Sequence, residues 1–269
     1  MSFLVLLLVG LILLWSPWHI GYPRDVLHDW VRRAMGVGSG WSTVAGVLML
    51  LIPVGVVLWA VQGLIYGILT LLLHVGLLLC CVGRHDPLRS MNTDFIAAWE
   101  RGDQAAAALV AEQQLGVVSE QAETLLVEVR GRMAATTLQD YFVPAFWYLL
   151  LGPLGALAYR LLELTRQQWG HSASHPAGIL VHALEWIPAR LLALSFALVG
   201  QFDSTLRALR GMAAEWELSA GEVVARSTGA ALVIESAEPE VEILHEARQL
   251  LIRAILAWAV IIAFLSIMS

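Results

Sequence analysis

Between Thr43 and Val82 the chain carries no aspartate, glutamate, lysine or arginine. As one helix this run would be about 60 Å long, twice the roughly 30 Å of a bilayer's hydrocarbon. It therefore predicts two membrane helices. The turn between them is expected at Gln62-Gly63, the most polar point, with Trp59 and Tyr66 at the interface. Pro53 is expected to kink the first helix. His74 stands alone in the second and reads as a histidine hydrogen-bonded inside a helix bundle.

Four further apolar segments extend the pattern. Phe3 to Trp15 is short, about 20 Å, and is expected either to span, with Trp15 and Trp18 as anchors, or to lie partly buried; Ser16-Pro17 ends it. Tyr141 to Leu164 is long enough to cross, and its Gly152-Pro153-x-Gly155 break implies a kinked span or a re-entrant hairpin. Ile187 to Phe202 measures about 24 Å as helix, and Leu250 to Met268 spans. A soluble domain of 269 residues would carry more than 14% charged residues and less than 58% hydrophobic ones, and the mean hydropathy is +0.72. The fold class expected is all-α: a polytopic helical membrane protein of about six membrane segments, forming a single membrane domain over 1–269. Arg24, the first basic residue, follows the first apolar run, so that run is expected to be retained and not cleaved as a signal.

The polar stretches between these segments also read as helical. Val26, Leu27, Trp30, Val31 and Ala34 recur at helical spacing, which predicts an amphipathic helix on the membrane surface, broken by Gly36 to Gly40. Residues 83–140 form a first helical insertion: Asn92 or Thr93 caps a helix over 94–101, Gly102 ends it, Asp103 caps the next through Leu115, and Ser119 caps a third. Its Ala-Trp-Glu-Arg-Gly-Asp sequence resembles one tetratricopeptide hairpin, in a single copy. Residues 203–249 form a second insertion, with Leu206, Leu209, Met212, Ala213 and Trp216 on one face, a Ser219-x-x-Glu222 capping box and Pro239 in the first turn of the last helix.

Charge assigns sides. All 16 basic residues are arginine. With six crossings, residues 18–42, 83–140 and 203–249 share one side and hold three, five and four arginines, while the other side holds only Arg160 and Arg166. By the positive-inside rule the insertions are cytoplasmic and both termini lie outside. The absence of lysine excludes a Walker A loop and lysine nucleophiles. No basic stripe exists for nucleic acid. Cys80 and Cys81, the only cysteines, read as buried thiols. His171, His175 and His182 have ligand-like spacing, but Pro176 interrupts them and no acidic or cysteine ligand joins them, so no metal is expected.

Arg190 is the residue that most needs explaining, because an arginine in an apolar segment is costly. Two residues after Pro188, it is expected near the N-terminus of its helix, where positive charge is unfavourable without an anion. That anion is either Glu185, as a structural partner, or the carboxylate or phosphate of a ligand. A ligand pocket at this place would be formed by Arg190, Trp186 and Asp140. Arg160, at the end of its span, is expected to reach the headgroups or to join the ligand site.

The pattern Pro144-Ala-Phe146-Trp147-x5-Pro153-x5-Tyr159-Arg160, followed by Trp186-Ile-Pro188-Ala-Arg190-Leu, resembles the AmpE proteins of Gram-negative bacteria, relatives of the CobD/CbiB proteins of cobalamin assembly. The opening Met1-Ser-Phe-Leu-Val-Leu-Leu-Leu and the run Leu191 to Gly200 are similar to AmpE as well. The resemblance implies a multi-pass protein of the bacterial inner membrane, accessory to the cytoplasmic amidase AmpD, muropeptide recycling and β-lactamase induction. It implies membrane lipids, AmpD and a second copy of the chain as partners, and no cofactor. The CobD/CbiB side implies ATP-dependent amide synthesis, but where that family carries acidic and amide residues, Gly131 to Asp140 offers only Asp140 as an acid. No catalytic residue is therefore assigned. A transporter of an anionic metabolite is the third class, and no internal repeat supports it.

Overall fold

The computed structural model describes residues 2–15, 26–35, 40–62, 67–82, 93–118, 122–168, 175–232 and 242–268. Every regular element among them is helical. In chain order these are α1 (Ser2–Trp15), α2 (Val26–Met35), α3 (Trp41–Leu48), α4 (Leu51–Val61), α5 (Ile68–Cys81), α6 (Thr93–Glu100) and α7 (Gln104–Val110). They are followed by α8 (Ala122–Thr137), α9 (Val143–Leu151), α10 (Pro153–Gln168), α11 (Pro176–Val199), α12 (Phe202–Met212), α13 (Ala220–Ala231) and α14 (Glu242–Met268). Single π-helical turns follow α7 and α8. The expectations placed on Ser16-Pro17, Trp18, Gly63, Tyr66, Asn92, Ser119, His171 and Pro239 lie outside the described residues.

Three stretches are long and apolar enough to cross a bilayer: Trp41–Val61, Pro176–Val199 and Glu242–Phe264, of 21, 24 and 23 residues. At 1.5 Å per residue they reach about 32–36 Å. Phe3–Leu13 and Ile68–Cys81 are apolar but shorter. The outward surfaces match a lipid solvent, since Met49, Ile52, Trp59, Leu72, Leu198, Val260 and Phe264 are all exposed. The break near Pro53 falls one turn earlier, at Met49-Leu50, because proline supplies no N–H for the carbonyl four residues before it.

One segment follows the second of its two expected forms and another differs from expectation. Tyr141–Leu164 is a hairpin, not a kinked helix: α9 ends at Gly152, whose φ of 70° only glycine adopts freely, and α10 folds back along α9. The contact is close enough that a Cβ on Gly155 would lie 2.7 Å from the Trp147 carbonyl oxygen. The segment expected to begin at Ile187 begins instead at Pro176, so Pro188 is interior and Arg190 is mid-helix.

The chain divides into two compact units. The first comprises residues 1–84, 140–185 and 265–269, the second residues 85–139 and 186–264. In the first, α10 is the hub, packed by α2, α3, α4, α5 and α9. Its Leu157, Leu161 and Leu164 recur at i, i+4 and i+7 and enter a core with Val5, Val31, Val47, Leu78 and Tyr148. His74 Nδ1 lies 3.0 Å from the Tyr148 hydroxyl, inside this bundle. Cys81 is buried there, whereas Cys80, a helical step of about 100° away, is exposed.

In the second unit α8 runs against α13 on small residues, with Gly131 opposite Ala225 and Gly221 opposite Ala135. Val223 on α13 meets Leu209 of α12 and Ala193 of α11. The expected caps are present: Asp103 accepts from the Ala106 N–H at 3.0 Å, and the Ser219 hydroxyl from the Glu222 N–H at 3.2 Å. Trp258 donates to the Ser195 hydroxyl at 2.7 Å, which ties α14 to α11.

Candidate functional site

Beside its apolar stripe, α10 bears a polar one: Tyr159, Glu163 and Arg166, also at i, i+4 and i+7. Glu163 is 2% exposed on its side chain and receives both forks of Arg166, Nε to Oε2 at 2.7 Å and Nη2 to Oε1 at 2.8 Å. Gln167 adds a third bond at 2.9 Å. Burial disfavours the Arg166 cation, but the bonds to Glu163 and that carboxylate's charge outweigh it and hold the guanidinium above its ordinary range. The Tyr159 hydroxyl donates to Glu185 Oε1 at 2.7 Å, and both residues are buried.

Arg160 and Asp140 form a further buried charged pair in this unit. Their side chains approach to 3.8 Å and both are buried. Arg160, expected near the headgroups or in a ligand site, is enclosed by the helices packed around α10. Charged groups buried this deeply are kept only where they are paired and bonded. Here acceptors (Glu163, Glu185) and donors (Tyr159, Arg166) stand on fixed helices. Such a set can hold a polar group or move between alternative hydrogen-bond patterns.

Pro188 leaves the Leu184 carbonyl of α11 without its helical N–H donor. The Trp147 indole N–H fills that vacancy at 3.1 Å. Trp147 and Pro188 are thus two halves of one device, a proline inside a helix and the donor that compensates it.

In the second unit Arg190 is held by main-chain carbonyls. Nε donates to Ala213 O at 2.8 Å, Nη2 to Met212 O at 3.3 Å and Glu215 O at 2.7 Å, and Nη1 to Trp186 O at 3.1 Å. Three of these carbonyls lie at or just beyond the C-terminal end of α12, where a helix leaves acceptors unpaired and carries partial negative charge. The guanidinium carbon stands 3.9 Å from the Trp186 ring centre, and Trp186 in turn meets Trp216 at 6.0 Å. Glu185, one of the two anions expected for Arg190, accepts from Tyr159.

The five residues expected to form a ligand site fall in both units. Asp140, Arg160 and Glu185 belong to the first unit, Trp186 and Arg190 to the second. Sequence reasoning did not group Tyr159, Glu163 and Arg166. Their signal was present as three polar residues at i, i+4 and i+7 within an apolar segment.

The family described as "Regulatory signalling modulator protein AmpE" matches residues 2–269. The chain is 26% identical over 282 residues to a Shigella flexneri protein named "Protein AmpE", covering 99% of this chain and 96% of that one. Proteins named "Cobalamin biosynthesis protein CobD" are similar over a shorter region. That of Stutzerimonas stutzeri is 32% identical over 100 residues, 35% of this chain and 33% of its own, and that of Chromobacterium violaceum 34% over 96 residues, 33% and 31%. No solved structure matches. Membrane-length helices, the motifs around Trp147 and Trp186, and a family match over nearly the whole length together make this chain a member of the AmpE family.

Proposed function

We propose that the protein is an inner-membrane accessory that modulates β-lactamase induction, acting with the amidase AmpD on signals from muropeptide recycling. The observation that carries this reading is the extent of the match: AmpE similarity covers the chain, while CobD similarity covers about a third. Both polar regions are placed in the cytoplasm, where AmpD would meet them, and both termini outside. The arginine distribution supports that arrangement.

The buried polar set of the first unit is the element best suited to respond to a signal, because its hydrogen bonds can be exchanged without unfolding a helix. An anion at Arg190 is supported more narrowly. Four of the five guanidinium N–H groups are engaged by carbonyls, so one bond from Nη1 remains, short of a bidentate clamp.

The competing reading, an amide synthetase of CobD/CbiB type, draws on the CobD similarity at 32–34% identity. Deleting the gene in its host and measuring both traits separates the two. The expected outcome is altered inducible β-lactamase with unchanged cobalamin formation. Loss of cobalamin formation with normal induction would establish the synthetase instead.

A further inference from the structure

We propose that Arg130 is the receptor of an oxyanion-binding site in the second unit, taking a phosphate or carboxylate group. Arg130 lies on α8 and is only 8% exposed. Among the described residues no hydrogen bond or ion pair reaches it, and its Nε is buried without a partner. That is unusual, because a guanidinium has five donors, stays protonated, and is costly to bury without an anion. Burial pushes its ionisation below the ordinary arginine value, with no carboxylate to oppose it.

The surroundings make room for the charge without neutralising it. α8 and α13 approach on Gly131 against Ala225 and Ala135 against Gly221, which draws the Arg130 side chain along α13. Gly229 continues that face of α13 at i+4 from Ala225 and i+8 from Gly221. A Cβ there would stand 2.8 Å from Arg130 Nη2 and 3.5 Å from Cζ. Glu222, the carboxylate in the first turn of α13, is committed to Arg226. The planar fork of a guanidinium matches two oxygens of a phosphate or carboxylate, so the group that fits is an oxyanion held by charge-assisted bonds. This site is independent of the polar set on α10 and of the assignment to β-lactamase induction.

Thermal unfolding of the purified full-length protein in neutral detergent tests the proposal, with and without inorganic phosphate, and with phosphatidylglycerol added to the micelles. In anion-free buffer Arg130→Met is expected to unfold at or above the temperature of the parent, because it removes an unpaired buried charge. Phosphate or phosphatidylglycerol is expected to raise the parent's midpoint, on the order of 5 °C at a hundredfold excess over Kd, and to leave Arg130→Met unmoved. A rise with inorganic phosphate identifies a free oxyanion, and a rise with phosphatidylglycerol alone identifies a lipid headgroup. The proposal is overturned if neither probe shifts the parent, if Arg130→Met shifts equally, or if Arg130→Met is clearly destabilised without anion. The last result would mean that the chain itself already pairs this arginine.

Discussion

Arg190 shows how an arginine inside an apolar helix can be accommodated without an opposing carboxylate. Its guanidinium gathers the carbonyls that end α12 and stacks on Trp186, so its charge is spread over main-chain dipoles and an aromatic face. Arg190→Leu is therefore expected to destabilise the protein by about 1–3 kcal/mol, the range for hydrogen bonds to a charged group. Adding Glu185→Leu should not restore stability, because Glu185 is satisfied by Tyr159. Full rescue by the double variant in thermal unfolding would show that the two residues are a pair. Tyr159→Phe probes the other side of the question. Removing the hydroxyl takes a 2.7 Å bond from a buried carboxylate, and a loss of about 1–3 kcal/mol is expected with little change in packing volume.

Among the elements, the α9–α10 turn makes the sharpest demand on sequence. Gly155 has the Trp147 carbonyl oxygen at 2.7 Å and Leu151 Cβ at 2.6 Å from where a Cβ would stand, and neither is the free end of a flexible side chain. Gly155→Ala should cost about 1–3 kcal/mol through overpacking, whereas Gly10→Ala on α1, with nothing within 4 Å, should be neutral or gain about 0.5–1 kcal/mol in helix propensity. Equal midpoints for the two variants would mean that α10 does not lie against α9. The same turn marks the limit of what the sequence discloses. Caps at Asp103 and Ser219, the amphipathic α2 and the helix pair within residues 43–82 are local features, and each was legible from a few neighbouring residues. Whether Gly152-Pro153 kinks a helix or reverses it depends on what packs beside it, which no local pattern states. The start of α11 was missed for a related reason: Pro188 reads as a helix beginning until Trp147, 37 positions earlier in the sequence, is known to bond Leu184.

At the scale of the whole molecule, two packings bear on the predicted number of membrane crossings. α8 lies against α13, so the two polar insertions share a side of the membrane, and the chain between them makes either two net crossings or none. Two gives the six-segment count read from hydropathy. The reversal at Gly152 returns α10 along α9 and contributes no net crossing, which favours none. On that count α11, with Glu185, Pro188 and Arg190 turned away from the exposed side that carries Leu198, is expected not to cross, although its length and apolarity would permit it. Four crossings are then predicted: α1, residues 41–61, α5 and α14. Both termini are predicted to lie outside in either count. The four-crossing arrangement also places fifteen of the sixteen arginines on the cytoplasmic side, with only Arg253 within a span. Single cysteines at Ser119, Ser174, Ser219 and Ser269, in a background with Cys80 and Cys81 changed to alanine, distinguish the counts by reaction with a membrane-impermeant maleimide in intact and permeabilised cells. The first three are expected to react only after permeabilisation, and Ser269→Cys in intact cells. External reaction at Ser174→Cys alone among the first three would restore six crossings. If Ser119→Cys and Ser219→Cys react from opposite sides, α8 and α13 cannot be neighbours, and the second unit as described would be wrong.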